Sequence, residues 1–175
     1  MAQATKTRAQ LITDYGDNTT GAISPEDLRN GLVSWMGCYA HLYTKTGSTA
    51  QATIDTTFAK ITGWATAGVA DDAVPSAAND RITVTSAGDY LVATSLSFAG
   101  TSSETFTFNI HVDQSEGIIQ AIRKIGTAGD VGTTVCFGIL TLTAGQQLEV
   151  YCKSAVGTGD SITMEDCHFV AVRIG

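Results

Sequence analysis

From Arg81 to Ile174 the chain reads as a succession of short segments in which apolar and polar residues alternate, separated by turn residues. The last segment, His168-Phe169-Val170-Ala171-Val172-Arg173-Ile174, carries apolar side chains almost to the final position. Alternation sends successive side chains to opposite faces of an extended strand. Repeated strands of ~5–9 residues with turn signals between them predict an antiparallel sandwich or barrel. A terminal segment that is itself a core strand predicts that the sandwich is closed.

The strands divide into two kinds. In Thr105 to Val112 the apolar residues are Phe106, Phe108, Ile110 and Val112, while Thr105, Thr107, Asn109 and His111 alternate with them. One face is then core and the other solvent. Tyr90 to Phe98, Val135 to Leu140 and Phe169 to Val172 are instead apolar on both faces. A strand apolar on both faces needs cover on both, and a two-layer sandwich provides only one. The second cover must be a helix, an arm or another subunit. This is the main sequence argument for oligomerisation, because each Å² of apolar surface withdrawn from water contributes ~25 cal/mol. Tyr90, Val92, Phe137, Ile139, Tyr151 and Phe169 are the residues expected at such an interface.

Other strands are expected at Tyr39–Tyr43, Ala52–Ile54 and Phe58–Trp64, then at Arg81–Thr85, Ile118–Ile125, Thr133–Leu142 and Leu148–Lys153. Residues 66–80, rich in Ala, Asp and Asn and containing Pro75, are expected to be a loop.

Residues 1–36 differ from the rest. Thr5 to Tyr15 suits a short helix, and Gly16 to Gly21 is a turn cluster. Ser24 then stands as an N-cap, with Pro25 at the first helical position and Glu26 and Asp27 in the first turn. Leu28, Leu32 and Trp35 follow at helical spacing, which predicts a helix over about 24–35. Helices of fewer than ~12–15 residues are marginal alone in water, so their apolar stripes must dock on something. Residues 1–36 therefore read as an attachment arm and 37–175 as the body. Leu11, Ile12, Tyr15, Ile23, Leu28, Leu32 and Trp35 are the expected docking residues.

Composition narrows the functional classes. Only 15% of residues are charged and the net charge is −7, with no basic run, so nucleic acid is not an expected partner. No apolar stretch approaches the ~20 residues of a membrane-spanning helix. The first eight residues, Met1 to Arg8, lack an apolar signal core, so the product is expected to form in a cytoplasm. The four cysteines, at 38, 136, 152 and 167, form no CxxC pair and read as buried thiols, with a disulfide between strands or subunits as the alternative.

Catalytic and metal signatures are weak. No G-x-S-x-G, H-E-x-x-H or P-loop pattern occurs. His41, His111 and His168 stand apart, and His111 is expected to be solvated. His168 has the best claim to a polar role, since Asp166 shares its face. Asp71, Asp72, Asn79 and Asp80 offer oxygen ligands without the spacing of a calcium cage. Trp64 reads as a packing residue, with a glycan contact as the alternative. Neither a catalytic residue, a cofactor nor a metal is expected.

From about Tyr39 to Gly175 the chain resembles the C1q and tumour-necrosis-factor-like jelly rolls. The residues that carry the resemblance are Arg81 to Val92, Leu140 to Val150 and the closing strand Phe169 to Ile174. The resemblance implies a ten-strand type of jelly roll that forms a homotrimer through its inner sheet. Gln146 and Gln147 depart from the Gly-Asp of that family's motif. Arg8 to Asn30 is similar to a segment of tailed-bacteriophage structural proteins, approximately R-x-Q-L, then D-N-x-x-G-x-I-S/T-x-x-D-L-R. That likeness implies a virion component.

The combined expectation is an all-β antiparallel jelly-roll sandwich with a short N-terminal helical arm. It would be a non-enzymatic virion protein, made in the host cytoplasm, forming a homotrimer that decorates the capsid or stands as a head-fibre-like knob. Its partners would be capsid or other virion proteins, with neither nucleic acid nor membrane insertion. The alternative is a tail-fibre tip that recognises a host glycan or protein.

Overall fold

A computed structural model describes residues 37–45, 49–157 and 159–175. The helices expected over 5–15 and 24–35 lie outside the described residues. So do Leu11, Ile12, Tyr15, Ile23, Leu28, Leu32 and Trp35. The described residues contain strands and no helix.

In chain order the strands are β1 (Tyr39–Thr44), β2 (Thr49–Ile54), β3 (Ala59–Lys60), β4 (Thr66–Asp71), β5 (Ala73–Ser76) and β6 (Arg81–Val84). They continue as β7 (Gly88–Gly100), β8 (Thr105–Val112), β9 (Gln120–Lys124), β10 (Val131–Leu142), β11 (Gln147–Ser154) and β12 (Asp160–Arg173). The first sheet runs β10-β7-β12-β1-β4, with β2 also on β12; the second runs β5-β6-β11-β8-β9, with β3 also on β11. Every pairing is antiparallel.

The core lies between the sheets. Tyr90, Val92, Leu96 and Phe98 of β7 share one buried cluster with Phe106, Phe108 and Ile110 of β8, and Phe98 is edge-on to both Phe106 and Phe108. Trp64 packs on Phe169 with ring centroids 5.9 Å apart, as its reading as a packing residue requires. Cys38, Cys136, Cys152 and Cys167 are all free and buried.

The terminal strand needs one irregularity to do this. Its buried residues are Ile162 and Met164, then Cys167, Phe169 and Ala171, so the inward set changes parity. The pairing with β7 shifts register between Met164 and Asp166. A bulge inserts one residue, and without it every side chain beyond it would point to the wrong face. The same bulge places Cys167 inside and His168 outside.

Two expectations about the strands between residues 58 and 80 are corrected. Residues 66–80 are not a plain loop but hold β4 and β5, while Phe58–Trp64 contains only the two-residue β3. Both β4 and β5 end a sheet. Edge strands pack few side chains, so their sequences show little periodicity, and Pro75 is tolerated because an edge has a free side for a residue without N–H.

His111 and Asn109 are buried rather than solvated. The chain turns back at Asp113 and Gln114, both with positive φ, and covers the outer face of β8. Asn109 grips the returning backbone twice, its Nδ2 donating to Gly117 O at 2.8 Å and its Oδ1 accepting from Gly117 N at 3.1 Å. Any side chain at Gly117 would collide with Ile110 O, 2.2 Å from the position of a Cβ. His111 lies against Tyr151, with ring centroids 3.8 Å apart and 10° between planes, and meets Phe58 edge-on.

Candidate self-association face

Because β7, β12 and β1 sit inside the first sheet, their outward residues line up in rows with those of β10. Cross-strand register places Ile139, Leu91, Val172 and Tyr39 side by side. The next row is Phe137, Ala93, Val170 and His41, and the third is Val135, Ser95, His168 and Tyr43. Phe137 is 71% exposed, Ile139 58% and Val135 51%. Leu91 and Val172 are also exposed. Isolated apolar residues on a surface are ordinary, whereas a contiguous patch marks an interaction site.

Of the six residues expected at an interface, Phe137 and Ile139 are on this face. Tyr90, Val92 and Phe169 are not: they are fully buried inside the protomer. A strand side chain alternates with its neighbour, so the outward positions are the intervening ones, Leu91, Ala93, Val170 and Val172. Tyr151 belongs to the second sheet, stacked on His111, with its hydroxyl donating to Glu149 Oε2 at 3.4 Å. The sequence signal for the outward set was present as the second apolar face of the same strands; the parity that is exposed was misassigned.

Tyr90 illustrates why its position is internal. Its hydroxyl donates to Ser86 O at 2.7 Å and lies 3.1 Å from the Cys38 thiol. Burial, followed by the contact with Cys38, raises the phenol above its ordinary range. An enclosed, hydrogen-bonded phenol is a structural anchor.

One polar cluster interrupts the apolar rows. His41 Nε2 and His168 Nδ1 are 3.0 Å apart, and His168 Nε2 is 3.4 Å from Asp166 Oδ1. His41 stacks between Tyr43 and His168, with centroids at 4.9 and 5.2 Å. Burial, and secondarily the neighbouring His168, lowers the His41 pKa below the usual histidine value. Gly68 leaves room for this ring, since a Cβ there would stand 3.0 Å from His41 Nδ1. Chemically the cluster can hold and share protons. The pairing of His168 with Asp166 was expected; the participation of His41, on a strand far away in sequence, was not.

The acidic candidates have structural partners. Asp72 accepts hydrogen bonds from Thr85 at 2.9 Å and Ser86 at 2.7 Å, and Asp80 Oδ1 accepts from Gly63 N and Trp64 N. These contacts tie the turn after β4 and the approach to β4 to the body of the sandwich.

No protein-family model matches the chain, and no curated protein matches it. Solved structures do. An Eiger TNF from S. frugiperda shares 16% identity over 79% of this chain and 93% of that one, with a TM-score of 0.56. Murine APRIL, crystallised at pH 5.0, shares 13% over 79% of this chain and 99% of that one, with a TM-score of 0.55. The fold is a TNF-like jelly roll. At these identities the likeness concerns architecture, and the sequence expectation of a C1q/TNF-like sandwich agrees with it.

Proposed function

We propose that this chain is a non-enzymatic structural protein of a bacteriophage virion. It assembles as a homotrimer and serves as a capsid decoration or a head-fibre-like knob, with residues 1–36 as its attachment arm. The observation that carries the assembly part is the exposed apolar face built by Phe137, Ile139, Leu91 and Val172. A second copy of the chain is the occupant that suits it, because the face has the mixed apolar and aromatic character of a subunit contact and little charge. The TNF-like architecture supports the same reading. The virion part is supported by the likeness of Arg8 to Asn30 to tailed-phage structural proteins. Threefold assembly would supply avidity to three weak arms.

Two measurements test this. Light scattering at neutral pH should give three times the 18.2 kDa protomer mass; a monomer refutes the assembly. A chain lacking residues 1–36 should still trimerise and no longer join purified shells. Undiminished incorporation refutes the arm, and binding to host cells alone would identify the tail-fibre tip instead.

A further inference from the structure

We infer that the His41–His168 contact makes self-association through the outer face of the first sheet depend on pH, with assembly weakened by acid. The inference rests on that face being the subunit interface proposed above.

The two ring nitrogens at 3.0 Å can share a hydrogen only if one of them is unprotonated. With His168 Nε2–H directed at Asp166, its Nδ1 is bare and accepts from His41 Nε2–H. One further proton can enter at His41 Nδ1 without breaking this chain. A second would have to enter at His168 Nδ1, setting two N–H groups head to head. The rings must then separate, and two cations stand among Val170, Val172, Phe137 and Ala93. Covering a charge with apolar surface is costly unless it is paired.

Among the described residues, little else on the face could offset that charge. On β12, Asp166 contacts His168, and Glu165 adjoins it at the bulge. β1 contributes the phenols of Tyr39 and Tyr43, with Lys45 just beyond its end. β4 contributes Asp71, opposite Tyr39 and one row removed from His41. β7 places the uncharged Ser95 and Ser97 beside His168 and Asp166, and its Asp89 accepts from Thr141 at the far end of the sheet. Arg173, at that same end, donates to Gly175 O. The outward residues of β10 and the whole of β2 contain no titratable group. One carboxylate in contact therefore faces two imidazoles.

The direction follows from proton counts. Covering the pair favours its less protonated forms, so the assembled state binds fewer protons than the free protomer. Association is then strongest above the ordinary histidine pKa of ~6.5 and declines as pH falls through and below it. Because the His41 pKa is already lowered in the free protomer, its own contribution sets in at lower pH.

The test measures the subunit dissociation constant and the exchange of labelled subunits for the full chain at pH 7.5 and pH 5.5. Both lie above the isoelectric point near 4.7, so the protein stays net negative. The expected result is weaker association at pH 5.5, by up to about tenfold per copy for each histidine that must lose its proton on association, and by less for His41. The double variant His41→Gln/His168→Gln, which keeps donors and acceptors but does not titrate, should change less than twofold. Asp166→Asn leaves both rings in place and should move the wild-type transition to lower pH, since a charge that favours imidazolium is gone. A wild-type constant and exchange rate unchanged within twofold overturn the inference while leaving the trimer intact. So does a double variant that weakens as much as the wild type. A chain that is monomeric at pH 7.5 overturns the trimer and this inference together.

Discussion

Tyr90 and Leu91 are chain neighbours on β7 whose side chains enter different environments: Tyr90 is fully buried and Leu91 is 39% exposed. Substitutions at the two should therefore separate folding from assembly. Tyr90→Ala removes a buried ring and the bonds to Ser86 and Cys38, and should destabilise the protomer by about 3–5 kcal/mol. Leu91→Asp should leave the stability of the isolated protomer little changed and abolish trimers, lowering the melting temperature only by the stabilisation that assembly supplies. Thermal denaturation and sedimentation, run on both variants, check this; a Leu91→Asp protein that still sediments as a trimer contradicts the proposed face.

Phe137 should be the most sensitive single position for assembly. It is the most exposed large hydrophobic residue of the aligned rows, and its cross-strand partner Ala93 is too small to shield it. Large aromatics at the centre of an interface commonly contribute 2 kcal/mol or more, about 30-fold in the association constant. Phe137→Ala should weaken subunit association by at least that factor and leave urea unfolding of the isolated protomer unchanged. Equal loss in both assays would show that Phe137 serves the fold instead.

Lys60 and Glu149 form a contact of 2.5 Å in which the carboxylate is 3% exposed and the lysine 25%. Lys60 also donates to Asn79 O at 2.8 Å. Lys60→Met should cost about 3 kcal/mol, the lower end for breaking a buried pair because the lysine is partly hydrated. Replacing both residues, as in Lys60→Met with Glu149→Met, should recover most of the loss, since no unpaired charge remains. Chemical denaturation of the three variants measures the coupling.

Native thiol reactivity offers a check on the core. Burial pushes Cys136 and Cys167 up to about 11, raises Cys152 further, and raises Cys38 as well. At pH 8 the thiolate fraction is therefore small, and the sulfurs are enclosed. Alkylation should be slow in the native protein, reach four groups per chain on unfolding, and be unaffected by reductant. Rapid native labelling of any of them would mean that the sandwich opens locally.

Gly117→Ala should unseat the segment that covers β8. The added carbon would meet Ile110 O, and displacing the segment would strip Asn109 of both its bonds. A loss of about 2–3 kcal/mol is expected from the unsatisfied buried amide. Faster amide exchange should be confined to residues 113–119 and β8, as a local opening predicts; uniform loss of protection would indicate a global effect.

Much of the architecture was legible in the chain. Strands such as Thr105–Val112 could be located because a packed strand repeats its apolar residues every second position, and the two apolar faces of β7, β10 and β12 were visible for the same reason. The edge strands β4 and β5 were missed, since pairing through backbone alone leaves no periodic trace in side chains. Asn109 and His111 were misread because alternation reports which side of a strand a residue takes, and another part of the chain decides whether that side is wet.

The sequence alone thus determined that a β-sandwich forms and that some of its strands carry an apolar surplus. Tertiary structure decided which parity of those strands is enclosed, because the register across β10, β7, β12 and β1 is set by the whole sheet and by the bulge in β12. It also decided that His41 and His168, 127 residues apart, share a hydrogen bond. No local pattern encodes that meeting: it arises from two strands that become neighbours only when the sheet closes.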